Sequence, residues 1–115
     1  MIKIGEEEIN LTELQDKLKR QSELFTTEFN RVLNDYKSNS REIQDKPSDE
    51  HKKFSQMITF FSHVSHLFSS ELEFLPAQII NFLEQYYAIL HVNFRNTLIQ
   101  ALILLRTKEV VSPIV

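Results

Sequence analysis

One glycine and three prolines in 115 residues leave this chain very few places to turn sharply. A sheet protein needs turn residues at short intervals, whereas long breaker-free stretches with apolar residues three and four apart are what amphipathic helices require. The fold class that follows is all-α. The length is that of a single domain, and 42% hydrophobic residues are enough for one buried core. Cysteine is absent, which excludes disulfides and thiolate metal sites and gives no sign of an oxidising compartment. The opening "MIKIGEEE" lacks the basic and apolar pattern of a secretory leader, and no apolar run approaches the roughly 20 residues that span a bilayer. A soluble cytosolic or nuclear protein without a membrane partner is expected. A net charge of −3 argues against attachment to nucleic acid by electrostatics alone. Lys17, Lys19 and Arg20, and the pair Lys52 and Lys53, read as solvated helix faces.

Five helices follow from capping signals and periodicity. Asn10 with Glu13 three residues on is an N-cap and its capping-box partner, opening a short helix to about Arg20 with Leu11, Leu14 and Leu18 on one side. Ser22 is placed to cap a second helix, whose stripe is Phe25, Phe29, Val32 and Tyr36. Residues 37–47 are polar and end in Pro47, so they read as a loop anchored by Ile43. Ser48 is a cap for a long third helix, with Asp49 and Glu50 in its first turn. That helix carries Phe54, Met57, Phe61, Val64 and Phe68, widened by Ile58, Phe60 and Leu67. Pro76 suits the first turn of a fourth helix with Ile79, Leu83, Tyr86 and Leu90. The fifth runs from about Val92 to Lys108, with Phe94, Leu98, Ala101, Leu102 and Leu105 on its main face. Ile99, Ile103 and Leu104 leave it little polar side.

Stripes too wide for one partner, on long helices with short connections, describe stacked pairs of the HEAT or armadillo kind, an α-solenoid fragment of about five helices. The second and third helices form one pair and the fourth and fifth another. A compact helical bundle is the alternative, because it uses the same period. Ser112 and Pro113 read as the cap and first-turn proline of a sixth helix. Residues 1–10 are then an N-terminal extension, and 11–115 an α-helical repeat domain forming the N-terminal part of a longer helical protein.

Several short stretches carry a family resemblance in their order and spacing: "LKR" at 18–20, "YKSN" at 36–39, "KPS" at 46–48, "SH" at 65–66 and "ALILLRTK" at 101–108, with Pro113 following. Together they resemble the N-terminal region of the severe depolymerization of actin (SDA) family, over almost the whole chain from about Leu11. The resemblance implies a nuclear, largely nucleolar helical protein needed for making and exporting the large ribosomal subunit, with no catalysis. It implies partners among pre-ribosomal assembly factors, with ribosomal RNA as a further contact. Family members continue into more helices and a strongly charged tail that this stretch does not include. The first eight residues, with Glu6, Glu7 and Glu8, depart from the family pattern.

No side-chain constellation points to chemistry. His63 and His66 lie three apart, a spacing two metal ligands can use, but no Cys or third His is placed to help. His66 is therefore expected to cap or bridge helices. The three adjacent glutamates before the first helix point in different directions, and a chain with one glycine cannot build a phosphate-binding Gly-rich loop. No catalytic residue, cofactor, metal or small-molecule substrate is expected. The partner-binding candidates are Lys37 and Asn39, whose residue types C-capping also explains, and Arg106 and Lys108 at the end of the fifth helix. The latter pair suits RNA phosphates or an acidic segment. Phe29, Tyr36, Phe61, His66 and Leu102 are the structural candidates. The function expected is a non-enzymatic scaffold acting by surface docking. Its rival is a stand-alone bundle that self-associates through its last helix and regulates a cytoskeletal or signalling partner.

Overall fold

The computed structural model describes residues 2–4 and 7–107. The order is β1 (Ile2–Ile4), β2 (Glu7–Ile9), α1 (Leu11–Gln21), a 3-10 turn (Ser22–Phe25), α2 (Thr26–Asn39), α3 (Arg41–Asp45), α4 (Lys52–Val64), α5 (Leu75–Tyr86) and α6 (Val92–Thr107). The helical class holds, with a small hairpin added. Lys108, Ser112, Pro113 and Glu6 lie outside the described residues.

Two short strands precede the helices. β1 and β2 pair antiparallel with Ile2 opposite Ile9 and Ile4 opposite Glu7. The period of two puts Ile2, Ile4 and Ile9 toward the helices, where Ile2 is buried and the other two pack partly against the core. An isolated two-stranded hairpin is marginal, and this one leans on α2, where Arg31 pairs with Glu7.

Helix α1 begins as its sequence demands. The Asn10 side chain accepts from the Glu13 N–H at 3.1 Å, while the Glu13 carboxylate pairs with Lys17 one turn on and so does not close a capping box. Leu11, Leu14 and Leu18 are buried. Ser22 does not cap the second helix. It opens a 3-10 turn, and the Thr26 hydroxyl donates to the Ser22 carbonyl at 2.9 Å, so α2 starts only at Thr26. Asn39 closes α2 in ordinary helical geometry and donates to the Asp35 carbonyl, so no left-handed cap forms there.

The expected loop is largely helical. α3 occupies its middle, and Ile43 is fully buried, because one helical turn with one buried anchor is too short to show periodicity. Ser48 and Asp49 stay in a turn, and α4 starts instead after His51. His51 is the one described non-glycine residue with positive φ, at 51°, a conformation costing about 1–2 kcal/mol. Its ring offsets that cost by packing against Phe54 and Phe94 with centroids 5.9 and 5.2 Å away, while Nε2 lies 2.6 Å from the Lys46 carbonyl.

α4 is the centre of the molecule. Phe54, Met57, Ile58, Phe60, Phe61 and Val64 are all buried. Its backbone packs most extensively on α6 and next on α1. The expected pairing with α2 is made through rings rather than close backbone approach. Phe29 meets Phe60 and Phe61, and Tyr36 meets Phe54 and Phe61, at 5.4–6.3 Å. Lys53 adds an ion pair to Asp35 of α2 at 2.9 Å. The helix stops at Val64, short of Phe68. The buried Ser65 hydroxyl donates back to the Ser62 carbonyl, a local bond that competes with continuing the helix, and the chain then turns through 65–74. Phe68 still reaches the core and stacks on Phe29 at 3.8 Å.

Pro76 sits in the first turn of α5 as expected, and α5 packs on α6 as a helical hairpin. One continuous core runs from Ile2 to Leu105. Leu102 is half-buried at its margin, because Phe94, Leu98, Ala101 and Leu105 take the centre of the α6 face. The whole measures 41 × 39 × 19 Å. A thickness of two helices, about 10 Å each, is the slab of a helical-repeat fragment rather than a bundle closed around one axis.

Candidate interaction surface

The buried residues of α6 recur at steps of four, three and four: Phe94, Leu98, Ala101 and Leu105. At 100° per residue, the face opposite them carries Val92, Ile99 and Ile103, flanked by Arg95 and Arg106. Val92 and Ile103 are 51% and 52% exposed, and Ile99 is half-buried. The neighbouring edge of the hairpin adds Ile80 and Tyr87, and the turn adds Ile89. Among the described residues, the large apolar side chains that stand exposed all belong to this hairpin, apart from Leu24. The Arg95 guanidinium lies 4.9 Å from the Tyr87 ring centroid, which fixes a charged group beside the apolar stripe without covering it. Clustered exposure of this kind marks an interaction surface, unlike scattered single apolar residues.

The predicted site residues are spread over the molecule. Lys37 is exposed on the last turn of α2, with its ammonium 5.1 Å from the Phe74 ring. Asn39, also exposed, turns back to Asp35. Arg106 is exposed in the last turn of α6. Lys37 and Asn39 end α2 while Arg106 ends α6, and among the described residues no hydrogen bond or ion pair joins them, so they do not form one site. His63 is half-buried on α4, whereas His66 is exposed in the turn beyond it, and the two no longer share a helix. Among the described residues no group of three His, Cys, Asp or Glu gathers for a metal, and no helix is long and apolar enough to cross a membrane.

The structural candidates Phe29, Tyr36 and Phe61 are fully buried. The Tyr36 hydroxyl donates to Gln78 Oε1 at 2.5 Å, tying α2 to α5. Burial pushes its ionisation well above that of an ordinary tyrosine.

Sequence reading missed a second tie, from the loop before α4 to the start of α6. Asn93 Nδ2 donates to Glu50 at 3.0 Å. That hydrogen bond, reinforced by the charges of Lys52 and His91, holds the Glu50 carboxyl below its ordinary range despite some desolvation. A tie across 43 positions leaves no periodic trace. A broader signal was available, however. From Phe54 to Leu105 the only charged residues are Glu71, Glu73, Glu84 and Arg95. Helix faces left to solvent usually carry charge, so this depletion marks the region whose surfaces are suited to contact.

Comparison with known proteins agrees with this geometry. A family model described as "SDA1, HEAT repeat" matches residues 60–115, which takes in α5, α6 and the last turn of α4. The "Protein SDA1 homolog" of Nematostella vectensis is 31% identical over 110 residues, covering 90% of this chain and 16% of that protein. Those of Xenopus tropicalis and Dictyostelium discoideum are each 32% identical, over 90% and 96% of this chain and 15% of theirs. The chain thus spans about a sixth of the length of the curated relatives it matches. With a HEAT-type helical architecture, the family's HEAT model over its second half and this identity along nearly its whole length, the chain belongs to the SDA1 family.

Proposed function

We propose that this chain is part of a non-enzymatic helical scaffold in the biogenesis and nuclear export of the large ribosomal subunit. It works in the nucleolus and nucleus and docks onto pre-ribosomal assembly factors through the outer face of α5 and α6. Membership of the SDA1 family supports the HEAT-type scaffold, and the family resemblance supplies the process. The observation that carries docking is the gathering of Ile80, Tyr87, Ile89, Val92 and Ile103 on one hairpin, exposed together. Arg106, at the rim of that stripe, suits a contact with ribosomal RNA phosphate or an acidic segment.

The test is sedimentation of the tagged protein from its own cells. The protein is expected to travel with large-subunit precursors and to stain the nucleolus. An Ile80→Lys, Val92→Lys variant with an unchanged circular dichroism spectrum is expected to remain in light fractions. Wild-type protein found only in light fractions and outside the nucleus overturns the ribosomal reading in favour of a cytoskeletal or signalling role. A variant that still sediments with precursors removes the α5–α6 face as the dock.

A further inference from the structure

A groove of about 400 Å³ runs between the first turns of α1 and the outer side of α4. Its walls are Thr12 and Gln15 from α1, and Ser55, Gln56 and Thr59 from α4. Its floor is apolar, made by Leu11 and Phe60, both buried from other directions in the core. No Lys, Arg, Asp or Glu lines it, although α1 itself is rich in charge. The five polar side chains make no hydrogen bond within the described chain, while Asn10 at the groove's end spends its side-chain oxygen on the Glu13 N–H.

We infer that this groove binds an extended, uncharged peptide segment of a partner protein through its main chain. Amides and hydroxyls both donate and accept, which is what alternating peptide N–H and C=O groups require and what a phosphate, an acceptor only, does not. Spacing agrees with this assignment. Ser55 and Thr59 stand one helical turn apart, about 6 Å along α4, and like-facing peptide groups of an extended chain repeat at about 6.6 Å. The apolar floor receives one side chain of the segment. RNA is disfavoured because phosphate binding needs neutralising cations, and the lining has none. The inference is independent of the ribosomal reading, since such a groove serves any protein partner, and it concerns a different face from the α5–α6 hairpin.

Because main-chain recognition is tolerant of sequence, a short defined probe suffices. The isotope-labelled chain is titrated by NMR with the capped tripeptide acetyl-Thr-Leu-Thr-N-methylamide and, separately, with hexauridylate. Saturable shifts are expected at Thr12, Gln15, Ser55, Gln56 and Thr59 with the peptide, unchanged between low and physiological salt. Gln56→Ala and Thr59→Val, at exposed positions that folding does not depend on, should each weaken binding by about fivefold, the effect of one hydrogen bond. A spectrum unchanged elsewhere confirms that each variant is folded. Peptide shifts that are absent up to the solubility limit, or scattered over the surface, overturn the inference. So do shifts of the same residues by hexauridylate that fade with salt, which would assign the groove to RNA. Either result leaves the sedimentation test of the α5–α6 face untouched.

Discussion

Helices α4 and α6 both have apolar stripes too wide for one neighbour, yet only α4 is covered on every side that its stripe requires. α1, α6 and the rings of α2 surround it, and Phe54, Met57, Ile58, Phe60, Phe61 and Val64 all disappear from solvent. α6 buries Phe94, Leu98, Ala101 and Leu105 against α4 and α5, while Val92 and Ile103 remain about half exposed on its other side. The width of a stripe therefore reports how many partners a helix can use, and the fold decides how many it finds. In a helical-repeat fragment this asymmetry is natural, because each repeat covers one side of the next.

The largest effect that could break this contrast comes from truncating matched rings on the two helices' neighbourhoods. Phe61→Ala should cost about 3–5 kcal/mol in urea unfolding, since the ring is fully buried among Phe29, Tyr36 and Phe60. Tyr87→Ala on the open hairpin should cost about 1 kcal/mol or less, since the ring is about half exposed and its contact with Arg95 is a surface one. Equal losses at the two positions would mean that the outer face is as structurally committed as the core. Next in size is Tyr36→Phe, expected to cost about 1 kcal/mol by removing the bond to Gln78. The Tyr36 ionisation is raised in the folded state, so its contribution is complete below the ordinary tyrosine pKa of about 10 and is lost as pH rises above it. The stability gap between wild type and Tyr36→Phe should accordingly close in alkali.

Smaller still in stability, but informative about the open face, is Ile80→Lys combined with Val92→Lys. Each change should alter unfolding by about 0.5 kcal/mol or less, while sedimentation equilibrium should show reduced self-association. A large loss of stability instead would place these residues in the core. The smallest effect concerns the tie between the two regions. Asn93→Ala should let the Glu50 carboxyl titrate higher, back toward its ordinary range, in an NMR pH series. A lowered carboxyl pKa stabilises above the unfolded value and loses that contribution as pH falls through the folded value, so the variant should be less sensitive to acidification. An unchanged Glu50 titration would show that the Asn93 bond does not anchor the loop.

Much of this was legible residue by residue. The stripes of α1, α2, α4 and α6, the proline at the start of α5 and the anchoring of Ile43 follow from periodicity and local chemistry. Where reading failed, two local signals competed. Ser22 and Ser48 look like caps, but a 3-10 turn and the left-handed His51 set the helix starts instead. Asn39 looks like a left-handed cap, yet the chain continues from it into another helical turn. The candidate contact residues fared differently: Lys37, Asn39 and Arg106 sit at helix ends as their types suggest, but in separate places. The α5–α6 face was foreshadowed by the breadth of "ALILL", and the uncharged groove beside α4 had no counterpart in any motif.

The sequence by itself determined that the chain is helical and which residue of each turn faces inward, because both are properties of a few consecutive residues and the 3.6-residue period. Only the tertiary structure decided that β1 and β2 pair and dock on the helices, that α4 is enclosed while α6 is left open, and that Glu50 and His51 lock onto the start of α6. Those outcomes depend on contacts between segments distant along the chain, and no local pattern records which partner will cover a face.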